Sequence, residues 1–161
     1  MPGTAAPLGR VRTGIAVRHG ERHPDIADGA ALRASLLAAA GIYLPDPLLA
    51  TAGIHFAKVL RELGVHEALA ERLHPFPNGA AAMGALAHST VPGELGCTQI
   101  TEIKSTPGVE LVGSLPAGCE LATIYTIAVC SRAREPELAR EFAALLCGPA
   151  AHARRVTAGF E

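Results

Sequence analysis

A chain of 161 residues has room for one domain and can bury a real core. Fourteen basic against fifteen acidic residues give a net charge of −1, which leaves no basic stripe for nucleic acid and no polybasic patch for a membrane surface. Hydrophobic residues make up 49%, yet charges or prolines break each apolar run before the roughly 20 residues of a membrane span.

Residues 1–10, MPGTAAPLGR, read as a flexible leader. They lack a charged start followed by an apolar stretch, so no signal peptide is expected, and the chain as written would stay in the cytoplasm. VRTGIAV (11–17) is rich in β-branched residues and predicts a strand. Asp28 is a candidate N-cap for a helix over 29–40, which Gly41 stops. GIYL predicts a short strand ended by the Pro-Asp-Pro turn at 45–47. Apolar residues at Ile54, Ala57, Val59 or Leu60, and Leu63 predict a helix over 52–63, with Gly64 at its end. VHEALAERL (65–73) predicts a second short helix, HPFPNG (74–79) a loop, and AAAMGALAHS (80–89) a small-residue helix. ELGCTQI (94–100) and VELVGSL (109–115) predict short strands, and LATIYTIAV (121–129) is the strongest strand signal in the chain. A helix over 135–148 carries Glu135 and Glu137 in its first turn, where the helix dipole favours them, and a last helix follows Pro149. Strands alternating with helices predict an α/β fold, a mainly parallel sheet flanked by helices.

Two turns could bind an anion. The helix beginning at Thr51, Ala52 and Gly53 has nothing bulky over its first N–H groups, and a helix start leaves about four amides unpaired beside roughly half a positive charge. The Thr51 hydroxyl could add a donor; equally, Thr51 could serve only as an N-cap. GCTQITE (96–102) repeats the pattern, with a strand ending at Thr98 and turning into a helix carrying Gln99 and Thr101; the simpler reading is a polar-capped βα turn. At the carboxyl ends of parallel strands both turns would face one crevice. Neither contains lysine or arginine, so a bound anion would be held by neutral donors. Tyr125 shares a strand face with Thr123 and Ile127, and suits either a packed core or a ligand contact.

Four cysteines, Cys97, Cys119, Cys130 and Cys147, form no CxxC pair and read as buried, inert thiols rather than a zinc site. The seven histidines suggest no metal site, and nothing calls for a cofactor. The string RHGERHP (18–24) resembles the RHGxRxP signature of histidine acid phosphatases, which would make His19 a nucleophile beside Arg18 and Arg22. That chemistry also needs a second arginine cluster and a distant acid, for which His66-Glu67 is a weak candidate. A solvated turn is the alternative.

In order along the chain, GIAVRHGERHPDI, IYLPDPLLATAGIHFAKVLRELGV, ELGCTQITEI, PGVELVGSLP and LATIYTIAV, followed by a helix and TAGF, resemble the molybdate-binding solute-binding proteins of ABC transporters. The resemblance covers residues 11–161 and implies the type II periplasmic binding fold, two α/β lobes joined by two crossing strands. On that pattern 18–120 would be the core of the second lobe, and 121–161 a return strand with C-terminal helices. VRTGIAV and LATIYTIAV would be the crossings. The resemblance implies a small oxoanion such as molybdate or tungstate held by Thr51, Ala52 and Gly53, by the backbone of Thr98 and by the Tyr125 hydroxyl, with a transporter permease as partner and a periplasmic location. Against that family, the expectation is a truncated chain that lacks the signal peptide and most of the first lobe, with a non-functional remnant as an alternative. The surface where that lobe would dock implies a route to self-association. Gln99 stands where stricter members carry an aromatic residue.

Overall fold

A computed structural model describes residues 5–161. The chain divides into a larger unit, Arg12–Leu121, and a smaller one, Met1–Val11 with Ala122–Glu161. The boundaries fall inside one strand and at the start of another.

The first strand, β1, runs Ala6–Arg18 and passes through both units. Residues 6–10 are therefore strand, where a leader was expected; Pro7 and Gly9 disguise its beginning as punctuation. Residues 1–4 lie outside the described residues. In the larger unit follow α1 (Gly29–Ala38), β2 (Ile42–Pro45), α2 (Thr51–Glu62), α3 (His66–Leu69), β3 (Leu73–Phe76), α4 (Gly79–His88), β4 (Leu95–Gln99), α5 (Ile100–Ser105) and β5 (Val109–Ser114). The smaller unit adds β6 (Ala122–Ile127), α6 (Pro136–Cys147) and α7 (His152–Ala158).

The strand order is β3-β2-β4-β1-β5, with β6 also pairing with β1. β2 is parallel to β3 and to β4, whereas β1 runs antiparallel to β4 and β5. The α/β class is as expected, and the parallel part is the β3-β2-β4 block. Two elements differ from the sequence reading. HPFPNG is not all loop, because His74–Phe76 belong to β3; Pro75 is tolerated there since β3 is an edge strand. The predicted helix over 65–73 ends early, at Leu69, and a single 3₁₀ turn carries the chain into β3.

Alternation along the strands sorts the core into two layers. Ile15, Val17, Ile42 and Leu44 meet α1 through Leu32 and Leu36 and α2 through Phe56, Val59 and Leu60. Ala16 faces the other way, with Ala82, Met83 and Leu86 of α4 and Ile103 of α5. The sheet of the larger unit is thus covered on both faces, and the parallel strands β2, β3 and β4 each deliver the chain from the same edge into a following helix.

Candidate anion-binding site at a strand-helix edge

The start of α2 is fixed from below. The Asp46 carboxylate accepts the amides of Leu48 (2.7 Å) and Leu49 (3.0 Å), and the Asp46 carbonyl accepts the Ala50 amide at 3.1 Å. This turn delivers Ala50 as N-cap in extended geometry. The first intrahelical bond runs from the Ile54 amide to the Ala50 carbonyl, 2.8 Å. The amides of Thr51, Ala52 and Gly53 precede it, and a helix offers such amides no internal partner. No side chain caps them, and no acidic residue sits in the first turn. The expected N-cap role for Thr51 is not found: it is the first helical residue and its side chain is exposed.

Gly53 has a structural reason of its own. A β-carbon there would lie 2.3 Å from both the Pro45 and the Asp46 carbonyl oxygens. The glycine lets the helix ride on the end of β2, so the absence of a side chain at Gly53 belongs to the scaffold.

The other long helices of the larger unit each carry a side-chain cap at their starts. The Asp28 carboxylate accepts the Ala31 amide (2.8 Å) at α1, and the Asn78 side-chain oxygen accepts the Ala81 amide (2.8 Å) at α4. α4 also has a resident anion. Glu102 accepts a hydrogen bond from the Thr98 hydroxyl at 2.5 Å, and a β-carbon on Gly79, the first residue of α4, would fall 2.1 Å from the same carboxylate. That carboxylate therefore sits where the α4 dipole favours negative charge. α5 carries Glu102 in its own first turn, so its start already faces a carboxylate. Among the helices following parallel strands, α2 is the long one left without a side-chain cap.

Thr98 is fully buried near the end of β4, against which α2 packs, so the larger unit brings the two predicted turns to one edge. The Thr98 hydroxyl is committed to Glu102, and its backbone lies opposite Gly14 in the β1–β4 ladder. Sequence reasoning missed Glu102, although its i,i+4 spacing from Thr98 was a usable signal. It also missed Thr13, whose hydroxyl is buried without a partner. Tyr125 belongs to the smaller unit. It is half-buried on the face of β6 that also carries Thr123 and Ile127, and its ring meets Phe160 edge-on with centroids 5.7 Å apart.

The RHGERHP string forms a turn rather than a catalytic loop. Gly20 takes φ +81°, and the Glu21 amide donates to the Arg18 carbonyl at 3.0 Å. Arg18 is occupied by the Ser89 carbonyl and Glu21, and the His19 side chain is 76% exposed, 2.5 Å from Glu110. His23 approaches the same carboxylate at 3.3 Å, and these bonds hold the Glu110 pKa below the usual carboxylate range. The phosphatase alternative is not supported. Of the four free cysteines, Cys97 and Cys119 are buried and burial raises their pKa, whereas Cys130 is exposed and Cys147 half-buried. The expectation of four buried thiols fails for the last two, which belong to the unit that buries little.

The whole chain, residues 1–161, matches the family of bacterial extracellular solute-binding proteins. It belongs to that family. Its fold is similar to the periplasmic molybdate-binding protein of Azotobacter vinelandii, with a TM-score of 0.73 at 20% identity over 100% of this chain and 69% of the other. A substrate-binding domain attributed to a molybdenum ABC transporter of Clostridium difficile gives 0.71 at 12% identity, covering 98% and 66%. An aconitate isomerase from a Pseudomonas species is 28% identical over 134 residues, 83% of this chain. This solute-binding chain spans 49% of the isomerase's length. No helix among the described residues is long and apolar enough to cross a membrane.

Proposed function

We propose that this chain is the ligand-binding component of an ABC-type transporter outside the cytoplasmic membrane, and that it takes up a small oxoanion such as molybdate or tungstate. The observation that carries the reading is the uncapped start of α2. It offers the amides of Thr51, Ala52 and Gly53 at the edge where Thr98 stands next to the end of β4, while the neighbouring α4 start is filled by Glu102. Neutral amides aligned with a helix dipole hold an anion without a cation. The Thr98 backbone and the Tyr125 hydroxyl complete the proposed donor set, and a permease is the proposed partner.

Differential scanning fluorimetry with millimolar molybdate, tungstate, phosphate and trans-aconitate tests the reading. Ligand at about 100 times its dissociation constant adds about 2.7 kcal/mol, a rise of roughly 5–10 °C for a domain of this size. Thr51→Pro removes one donor amide at a position where proline suits a helix, so it should weaken binding and leave the unliganded melting point nearly unchanged. Thr51→Ala keeps the amide and should keep the affinity. A shift with trans-aconitate alone would replace the oxoanion by an organic carboxylate, in line with the isomerase relative. No shift with any of the four would overturn the reading.

A further inference from the structure

We infer that Thr13 is a ligand-contacting, specificity-determining residue of the α2 site, its hydroxyl being the donor that β1 contributes; this rests on the function proposed above. Thr13 is 1% exposed, and its hydroxyl oxygen has no hydrogen-bond partner. Its backbone is fully used, since the Thr13 amide donates to the Leu121 carbonyl and the Thr13 carbonyl accepts from Leu115, both at 3.0 Å. The strand is thus held firmly while the side chain is left unsatisfied. A sealed hydroxyl of this kind is uncommon in native proteins and calls for a missing partner.

Register places that hydroxyl at the anion edge. Thr13 lies directly opposite Gln99, the last residue of β4, so it shares the end of the β1–β4 ladder with the carboxyl edge of the parallel block. Directly opposed residues share a face. Two residues on, Ile15 opposes Cys97, and both belong to the core layer that contains Phe56, Val59 and Leu60 of α2. Gly14 points the other way, since a β-carbon there would meet Ile100 and Leu111. Thr13 therefore stands on the α2 face of the sheet, on the layer and at the edge where the uncapped amides lie. Thr98 and its carboxylate partner Glu102 occupy the opposite face, against Gly79 of α4. A ligand on the α2 face meets a neutral hydroxyl and amides, and the sheet separates it from the one carboxylate bound at Thr98.

Thr13→Val keeps the shape and removes the hydroxyl. Without ligand the variant should melt at the same temperature as the parent or higher, because an unsatisfied buried group has been deleted. With molybdate, tungstate, phosphate or trans-aconitate, whichever shifts the parent, the dissociation constant should rise about tenfold or more by titration calorimetry. Thr13→Ser should restore most of the affinity. A lower melting point for unliganded Thr13→Val would mean that the hydroxyl already has a structural partner, and would overturn the inference. Unchanged affinity in Thr13→Val beside a parent that binds would overturn it while leaving the proposed function standing. A parent that binds none of the four probes would overturn both.

Discussion

The two units of this chain use the same alanine- and leucine-rich alphabet to different effect. In the larger one, both faces of the sheet are covered, and Phe56, Leu60, Leu32, Leu36, Met83 and Leu86 are at most 1% exposed. In the smaller one, α6 and α7 contain no buried residue. Leu138, Phe142 and Leu145, at i, i+4 and i+7, are 62%, 56% and 60% exposed, and a cavity of about 440 Å³ opens beside Leu145, lined also by Leu8, Leu146, Phe160, Arg154 and Arg155. Helical amphipathicity is therefore necessary for a buried stripe but not sufficient. A stripe becomes core only when a second layer exists to receive it.

Paired core truncations give the largest expected contrast. Phe56→Ala should cost about 3–5 kcal/mol in urea denaturation, and Phe142→Ala no more than about 0.5–1 kcal/mol. Equal losses would mean that the α6 stripe is covered in solution, and would remove the distinction between the units. Next in size is Gly53→Ala, which should cost about 1–3 kcal/mol because a methyl group would run into two backbone carbonyls. If that variant is as stable as the parent, the close approach of α2 to β2 is not rigid. Asp28→Ala deletes the α1 cap and should cost about 1 kcal/mol.

Thiol chemistry divides the units in another way. Cys130 should react with a water-soluble disulfide reagent in the native protein, whereas Cys97 should react only after unfolding. Burial raises the Cys97 pKa, so its stabilising contribution is complete below the ordinary thiol value and is lost as pH climbs from there toward the raised folded value. Cys97→Ala should flatten that alkaline decline. The smallest effect concerns Glu110, held low by His23 and His19. Its contribution is present above the ordinary carboxylate value and falls away as pH drops through the lowered one. His23→Gln should return the Glu110 titration, followed by NMR, toward the ordinary range.

What could be read from the sequence was set by local signals. Asp28 before an apolar-periodic run gives a correct cap, and the Thr123, Tyr125 and Ile127 alternation survives in β6. Two prolines and a glycine in HPFPNG read as a loop because the signal for β3 lies in its neighbour β2, with which Tyr43 pairs opposite His74 and Leu44 opposite Pro75. Of the candidate site, the uncapped start at Thr51 was legible from residue size. The filling of the α4 start by Glu102 was not, since it depends on Gly79 and Thr98 meeting across 19 residues of chain. Thr13 was hidden for the opposite reason: a threonine in a β-branched run looks like an ordinary strand residue until its neighbours are known to leave it without a partner.

The contact between Gly53 and the carbonyls of Pro45 and Asp46 separates what can change in this molecule from what cannot. Because that glycine serves the seating of α2 on β2, the row of amides at the helix start follows from how the chain is assembled. On the function proposed above, retuning selectivity would fall to Thr13 and Thr51, neither of which takes part in the contact of Gly53 with the two carbonyls. A library restricted to those two positions would leave that contact untouched and vary only the proposed ligand contacts.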